Sequence, residues 1–335
     1  VRLRTSDPHR PGYRRVRHGR GFRYLAPDGR PVGDGERTRL KALAVPPAWT
    51  EVWICPYPNG HLQAVGTDAA GRRQYLYHPA FRARRDEAKH EHVVAASAAL
   101  PKLRAAVERD LAARGLGRER VLACATRLLD LGLFRIGSDA YARENGSYGL
   151  TTVLRSHVTL ARGEVRFDYP AKSGQRRIAA LADPPTHAVV RSLLRSRYPG
   201  ERLLVHREGR SWHEVHGSDL NAYLRETGGS DLTAKDFRTW NATVLAAVGL
   251  AVSRPAAARS EAARRRAVTR VVREVAGYLG NTPAVCRASY IDPRLIELFE
   301  EGVTIAPALG ALGADGGPVA THGPVEDAVR ALLSR

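Results

Sequence analysis

Cysteine is scarce in this chain and poorly spaced for a cross-link or a cluster. Cys55, Cys124 and Cys286 are odd in number, far apart and without a CxxC pair. That argues against zinc and against a disulfide framework, and fits a reducing cytoplasm. The nearest approach to a metal box is His213-Glu214-Val215-His216, but its histidines are one residue closer than those of HExxH, so they leave the shared helical face. No metal is expected. No GxxxxGKS or GxxxxGKT loop occurs, so nothing suggests ATP hydrolysis, and no nucleotide or other cofactor is expected. Apolar runs stay well short of the ~18 residues that a membrane span needs. The first thirty residues are studded with arginine and carry no apolar stretch, so a signal peptide is not expected either.

Acidic residues are also too few to balance the basic ones. Asp and Glu number 34 against 53 Lys and Arg, a formal charge of +19 over 335 residues. Such an excess points to a polyanion, and with no membrane segment in view nucleic acid is the favoured one. Lysine contributes little to it, since the only lysines are Lys41, Lys89, Lys102, Lys172 and Lys235. A GC-rich genome would explain the arginine excess by itself, which makes each surviving lysine informative. Hydrophobic residues make up 43%, enough for a real core, and the length suits one large domain or two ordinary ones.

Residues 1–20 are basic and contain glycine, the text of a mobile arm. Over 21–85 short apolar runs such as Glu51-Val52-Trp53-Ile54-Cys55 and His61-Leu62-Gln63-Ala64-Val65-Gly66 are punctuated by proline and glycine. Asn59-Gly60 between two of them is a hairpin signal. A linker is expected around 80–92. Beyond it helical periodicity dominates, first with Leu103, Val107 and Leu111, then with Val121, Leu122, Ala125, Leu128 and Leu129. Alternation interrupts at 157–180, where Val158 and Leu160 precede an Arg162-Gly163 turn and Val165, Phe167 and Tyr169 follow it. Helical text resumes at 184–197, 218–226, 234–250, 260–279 and 283–290, with apolar stripes near 294–300 and 325–333. A glycine-rich stretch occupies 309–325. The fold class expected is α+β: a small strand-rich domain (21–85), then a mainly helical catalytic domain (92–335) with an inserted β-hairpin region.

Several segments could carry chemistry. Arg135 follows Leu133 and Phe134 at the end of an apolar helix, and reads either as a snorkelling residue or as a buried cation awaiting an anion. Lys172 sits at the tip of a turn, where a lysine is usually a solvated charge. Thr233 to Trp240 reads as a helix start, with Thr233 as N-cap, Asp236 in the first turn and Arg238 in the second. Helix starts bind phosphate readily, although an arginine there is more often a surface residue. Asn281 and Tyr290 are nine residues apart, about two and a half helical turns, so one straight helix would point them to opposite sides. The Gly280-Asn281-Thr282-Pro283 run removes that difficulty. Gly280 can end one helix, and Thr282 with Pro283 can start the next. A phenol, two arginines, a lysine and an amide are what metal-free attack on a phosphodiester needs.

Taken together and in order, these segments closely resemble the poxvirus-like type IB DNA topoisomerases, in particular their bacterial branch. The resemblance covers nearly the whole chain. It includes Gly71 to Tyr77, Tyr141 to Thr152, the Lys172-Ser173-Gly174 turn, Lys235 to Trp240 and Leu279 to Tyr290. It implies nicking of one duplex strand, a 3′-phosphotyrosyl link at Tyr290, strand rotation and religation without metal or ATP, on a tyrosine recombinase/topoisomerase IB catalytic fold. Arg135, Arg238 and Asn281 would bind the non-bridging oxygens, Lys172 would protonate the 5′-oxygen, and Lys235 would assist. Arg72, Arg73, Gln74, Tyr75, Tyr77 and Tyr141 match family DNA contacts or flank them, and Arg82, Arg84 and Arg85 lie close by in sequence. Tyr75 and Tyr77 alternate with Leu76, which in a strand puts both phenols on one face. The partner implied is double-stranded DNA, held by a monomeric clamp on the bacterial nucleoid. Two departures stand out: Asn281 replaces the histidine of poxvirus members, and Ala171 replaces the glycine usual before the turn lysine. A tyrosine site-specific recombinase shares the catalytic helices but would place a helical bundle where 21–85 reads as strands. A non-catalytic nucleoid protein would explain the charge, but not Tyr290 with all its partners.

Overall fold

Proline and glycine punctuation around residues 46–60 marks real turns between strands. The computed structural model describes residues 1–312 and 321–335, which fall into two units, Val1–Lys89 and His90–Arg335. In the first, β1 (Tyr13–His18), β2 (Gly21–Leu25), β3 (Thr50–Ile54), β4 (Leu62–Thr67) and β5 (Arg73–Tyr77) form one antiparallel sheet, ordered β2-β1-β3-β4-β5. Helix α1 (Asp34–Ala42) contributes Leu40 to a small core with Val45, Val52, Ile54 and Ala64. Asn59 and Gly60 lie in the β3–β4 connection, as the hairpin signal predicts. Gly60 is required by close approach, since a Cβ there would stand 2.4 Å from the Cys55 sulfur. Gln63 secures the same turn, its amide reaching the carbonyls of Pro58 at 3.1 Å and Gly60 at 2.7 Å.

Of the segment 1–20, expected as a mobile arm, Tyr13–His18 forms a strand of this sheet. β1 lies between β2 and β3, and Arg15 is 7% exposed. Its guanidinium donates to the carbonyls of Val45 (2.6 Å), Pro46 (2.8 Å) and Trp49 (2.9 Å). A run rich in arginine looks solvated in sequence, but this guanidinium is spent as a fork on three loop carbonyls. The expected linker at 80–92 is likewise ordered. It belongs to one continuous helix, α2 (Pro79–Ser97), built largely of good helix formers, and the two units meet in sequence within it.

In the second unit the apolar stripes become buried helix faces. α3 (Leu100–Leu111) buries Leu103, Val107 and Leu111, and α4 (Arg118–Gly132) buries Val121, Leu122, Ala125, Leu128 and Leu129. The short α5 (Asp139–Asn145) precedes the alternating stretch, which forms β6 (Val158–Ala161), β7 (Glu164–Pro170) and β8 (Arg176–Leu181), an antiparallel sheet in that order. After α6 (Pro184–Leu194) comes a hairpin of β9 (Val205–Glu208) and β10 (Ser211–Glu214). Its strands of four residues are too short to show alternation in the sequence.

Helices α7 (Gly217–Gly228), α8 (Ala234–Ala257), α9 (Glu261–Leu279), α10 (Pro283–Ser289), α11 (Pro293–Glu300), α12 (Ala306–Leu312) and α13 (Pro324–Leu333) complete the unit. α8 runs past the predicted end at residue 250. At Gly249 α9 packs close, and a Cβ there would meet Val271 at 3.1 Å. Phe134, Phe167, Phe237, Trp240 and Phe299 are fully buried among these elements. Of the glycine-rich stretch 309–325, residues 313–320 lie outside those described. The α+β architecture expected from the sequence, strand-rich first and mainly helical with inserted hairpins second, is the one observed.

Candidate active site

The site is built where the C-terminal ends of α4 and α9 converge. α4 ends at Gly132, where a Cβ would fall 2.2 Å from the Phe134 ring; Leu133 then takes a left-handed conformation, φ 53°. This turns Phe134 inward and leaves the last carbonyls of α4 without helical partners. α9 ends at Gly280, whose φ of 61° is the left-handed cap that glycine adopts without strain. Thr282 then caps α10, accepting the Val285 N–H at 3.3 Å, with Pro283 as its first residue. The helix break inferred from the sequence is therefore present, and Tyr290 stands at the far end of α10.

Arginines satisfy the two frayed ends. Arg238, on the second turn of α8 and only 4% exposed, donates from one terminal nitrogen to the Leu133 carbonyl and from the other to the Leu279 carbonyl at 2.8 Å. Arg135 donates to the Gly280 carbonyl at 3.2 Å and to the side-chain oxygen of Asn281. Two buried donors remain unpartnered: Nε of Arg238 and Nδ2 of Asn281. Unpaired buried donors are costly, so these two are suited to meet an anion. The Arg238 guanidinium lies 5.3 Å from the centre of the Tyr290 ring.

The electrostatics follow from this packing. Burial pushes the Tyr290 phenol up, but the charge of Arg238, then those of Arg135 and Lys235, outweigh it and hold the phenol below its ordinary pKa. Burial also acts first on Arg238, bringing its pKa down to about 10, with Arg135 adding to the fall. Nearby, burial pushes the Tyr169 phenol up to about 12 against the pull of Arg177, Arg238 and Arg135.

Thr233 begins α8 as predicted, but its hydroxyl donates to Asp236 at 2.7 Å while Asp236 accepts the Thr233 N–H at 2.8 Å. Lys235, between them in sequence, is exposed. Lys172 occupies a short 3₁₀ turn between β7 and β8, exposed, with its ammonium 6.0 Å from the Tyr141 ring centre. Lys172, Tyr141, Arg135 and Tyr148 line one cleft, and Arg135 also lines a second one with Arg238, Arg177 and Tyr169. The structure thus pairs Arg135 with Asn281 and Arg238 with Tyr290, the two arginines line one cleft, and Lys172 lines a second cleft with Arg135.

Three supports were not legible in the sequence. Thr243 donates to the Tyr290 carbonyl at 3.2 Å and accepts the Asp292 N–H at 3.2 Å, tying the tyrosine backbone to α8. Arg177 lines the arginine cleft from β8. Trp240, two residues after Arg238, is anchored by Glu326 of α13. Thr243 reads as an ordinary helix-interior residue, and although Trp240 closes the Lys235 to Trp240 motif, nothing local points to Glu326.

In the first unit, Tyr75 and Tyr77 share a face of β5 as predicted, their rings stacked 6.3 Å apart at 19°. Tyr75 is 50% exposed. Phe81 continues the row, 5.4 Å from Tyr77. Arg72 and Gln74 both bond Asp68, at 2.8 Å and 2.9 Å, and this set, led by bonds from Arg72, holds the Asp68 carboxyl down at about 2. Arg73 lies 3.9 Å from Glu51. Among the described residues no group of three or more His, Cys, Asp or Glu is placed to hold a metal ion, and no helix is long and apolar enough to cross a membrane.

Comparison with known proteins agrees with this geometry. The family described as "Eukaryotic DNA topoisomerase I, catalytic core" matches residues 78–300, and the one described as "Bacterial DNA topoisomerase IB, N-terminal domain" matches residues 21–68. DNA topoisomerase 1B of Acanthamoeba polyphaga mimivirus is 29% identical over 268 residues, which is 78% of this chain and 79% of the viral one. An α+β chain whose catalytic-core match spans two helix ends clasped by arginines around a tyrosine is an isomerase of DNA. It belongs to the type IB DNA topoisomerase family.

Proposed function

We propose that this chain relaxes supercoiled duplex DNA by transient cleavage of one strand, with Tyr290 as the nucleophile. The Tyr290 phenolate attacks phosphorus, the bond from phosphorus to the 5′-oxygen breaks, and a 3′-phosphotyrosyl link forms. Lys172 gives its proton to the departing 5′-oxygen, with Lys235 as an assisting cation. After rotation the 5′-hydroxyl returns its proton and attacks phosphorus, expelling the phenolate. Arg238, Arg135 and Asn281 neutralise and orient the non-bridging oxygens, where preorganised charge is worth most. Every charge that this scheme needs comes from side chains, so neither ATP nor metal has a part in it.

The single observation that carries the reading is the Tyr290 phenol, held below its ordinary pKa beside Arg238, with two unpartnered donors at hand. A phenol near pKa 10 is a poor nucleophile at neutral pH, so cations that favour its ionised form are what the reaction requires. The finer placement, in the bacterial branch of the poxvirus-like enzymes, is favoured by the bacterial N-terminal match over residues 21–68. Arg72, Arg73, Gln74, Tyr75, Tyr77 and Tyr141 are the proposed DNA contacts, and the protein acts as a monomeric clamp.

The test is relaxation of a supercoiled plasmid in EDTA without ATP, together with capture of an SDS-resistant protein–DNA adduct. Wild type should do both, and Tyr290→Phe neither, while DNA affinity stays nearly intact. An adduct that persists in Tyr290→Phe would move the nucleophile elsewhere.

A further inference from the structure

Arg176 and Arg177 line the cleft although no chemical requirement called for them; Arg176 pairs with Asp168, whereas Arg177 reaches the helix ends. On β8 the exposed residues alternate: Arg176, Ile178 and Ala180 face outward, and Arg177 is turned in. Its guanidinium donates at 2.7 Å to the carbonyl of Tyr278 and at 2.8 Å to that of Gly132. These are the carbonyls immediately preceding those bound by Arg238, which takes Leu279 and Leu133. The two arginines are consecutive rungs across the same pair of helix ends. Cations are favoured at helix C-termini, and a planar fork can span two carbonyls where an ammonium cannot.

We propose that Arg177 is a positioning residue for strand cleavage, holding the ends of α4 and α9 together so that Arg238 can turn its nitrogens from carbonyls to phosphate. The inference rests on the reading of Tyr290 and Arg238 given above. The terminal nitrogens of Arg238 each hold one carbonyl in the free protein. If DNA draws them away and nothing else spans the gap, the two ends are free to part. One end leads within three residues to Arg135, the other to Asn281. Arg177 lies five residues beyond Lys172, so one guanidinium joins the segments carrying Arg135, Lys172 and Asn281. Burial lowers its pKa, and Arg135 adds to that.

The experiment uses the full chain with Arg177→Ala and Arg177→Lys. It compares single-turnover cleavage of a nicked duplex trap at saturating enzyme with the dissociation constant for uncleaved DNA and with the melting temperature. A misplacement near 1 Å costs about 100-fold in rate, so Arg177→Ala should cleave about 100-fold more slowly while DNA affinity changes by less than about threefold. Arg177→Lys keeps the charge but cannot span both carbonyls, so it should recover little. It also serves as the test if the alanine variant does not fold. A 5′-bridging phosphorothiolate should not restore either variant. Cleavage at the wild-type rate, a loss confined to DNA affinity, or full recovery in Arg177→Lys would overturn the proposal. So would restoration by the phosphorothiolate, which would make Arg177 a proton donor. Wild type that forms no adduct, or Tyr290→Phe that forms one, would instead fail the reading beneath it.

Discussion

The indole nitrogen of Trp240 donates to Glu326 at 2.8 Å, joining the helix that carries Arg238 to a residue 86 positions later on α13. Glu326 is 1% exposed and is the hub of a buried set. Arg104 of α3 reaches it at 2.5 Å and reaches Asp130 of α4 at 2.7 Å, while the Gly323 N–H donates to it at 3.1 Å. α3 and α8 are thus fastened to α13, and α4 joins them through Arg104.

Breaking that set should be costly. Glu326→Ala leaves the Trp240 indole and the Gly323 N–H without their acceptor, and Arg104 with one carboxylate where it had two. Loss of one partner from a buried pair typically costs about 3–5 kcal/mol, so the melting temperature should fall by many degrees. Trp240→Phe removes a single hydrogen bond and should cost about 1–3 kcal/mol. Thermal denaturation checks both, and a Glu326→Ala protein as stable as wild type would refute the assignment.

Lys172 and Arg238 should separate by leaving-group chemistry. Expelling an alkoxide benefits from a proton donor, whereas a thiolate leaves without one. Lys172→Ala should therefore cleave ordinary DNA slowly but a 5′-bridging phosphorothiolate at nearly the wild-type rate. Arg238→Ala should stay slow on both substrates. Rescue of Arg238→Ala, or none for Lys172→Ala, would reverse the roles assigned to them.

The pH profile of cleavage carries the sign of the phenol's shift. Phenolate is the reactive form, so the rate should climb with pH and level off near the pKa of Tyr290, which lies below the ordinary value. Removing the Arg238 charge takes away the largest of the lowering influences, so the climbing limb of Arg238→Ala should move to higher pH. Lys235→Ala should move it the same way by less. A limb that stays in place in Arg238→Ala would show that the phenol does not sense that charge.

DNA affinity should fall steeply between dilute and physiological salt, because phosphate contacts release counterions. Tyr75→Ala should weaken binding with little change in that slope, since a phenol neutralises no phosphate. Arg73→Ala should flatten the slope by about one charge. A nearly flat salt dependence in wild type, measured by anisotropy, would argue against the clamp.

Much of the fold was legible because it is local. The stripe Leu103, Val107, Leu111 and the alternation of Val165, Phe167 and Tyr169 report the two periods directly, and both are buried as expected. What was misread was arginine. Arg15 looked like solvated text in an arm and is a buried fork. The stretch 80–92, expected as the linker, does contain the boundary between the units, but within a continuous helix because nothing in it breaks one.

The sequence by itself determined the family, the two-part architecture and the break at Gly280 to Pro283 that separates Asn281 from Tyr290. Those depend on residue types at short spacing, and short spacing is governed by backbone geometry. Only the tertiary structure decided which carbonyls the arginines clasp. Arg238 meets Leu133 across 105 positions and Leu279 across 41, and Arg177 meets Tyr278 across 101. A guanidinium can donate to any carbonyl that the fold leaves open, so its partner is a property of where helices end in space.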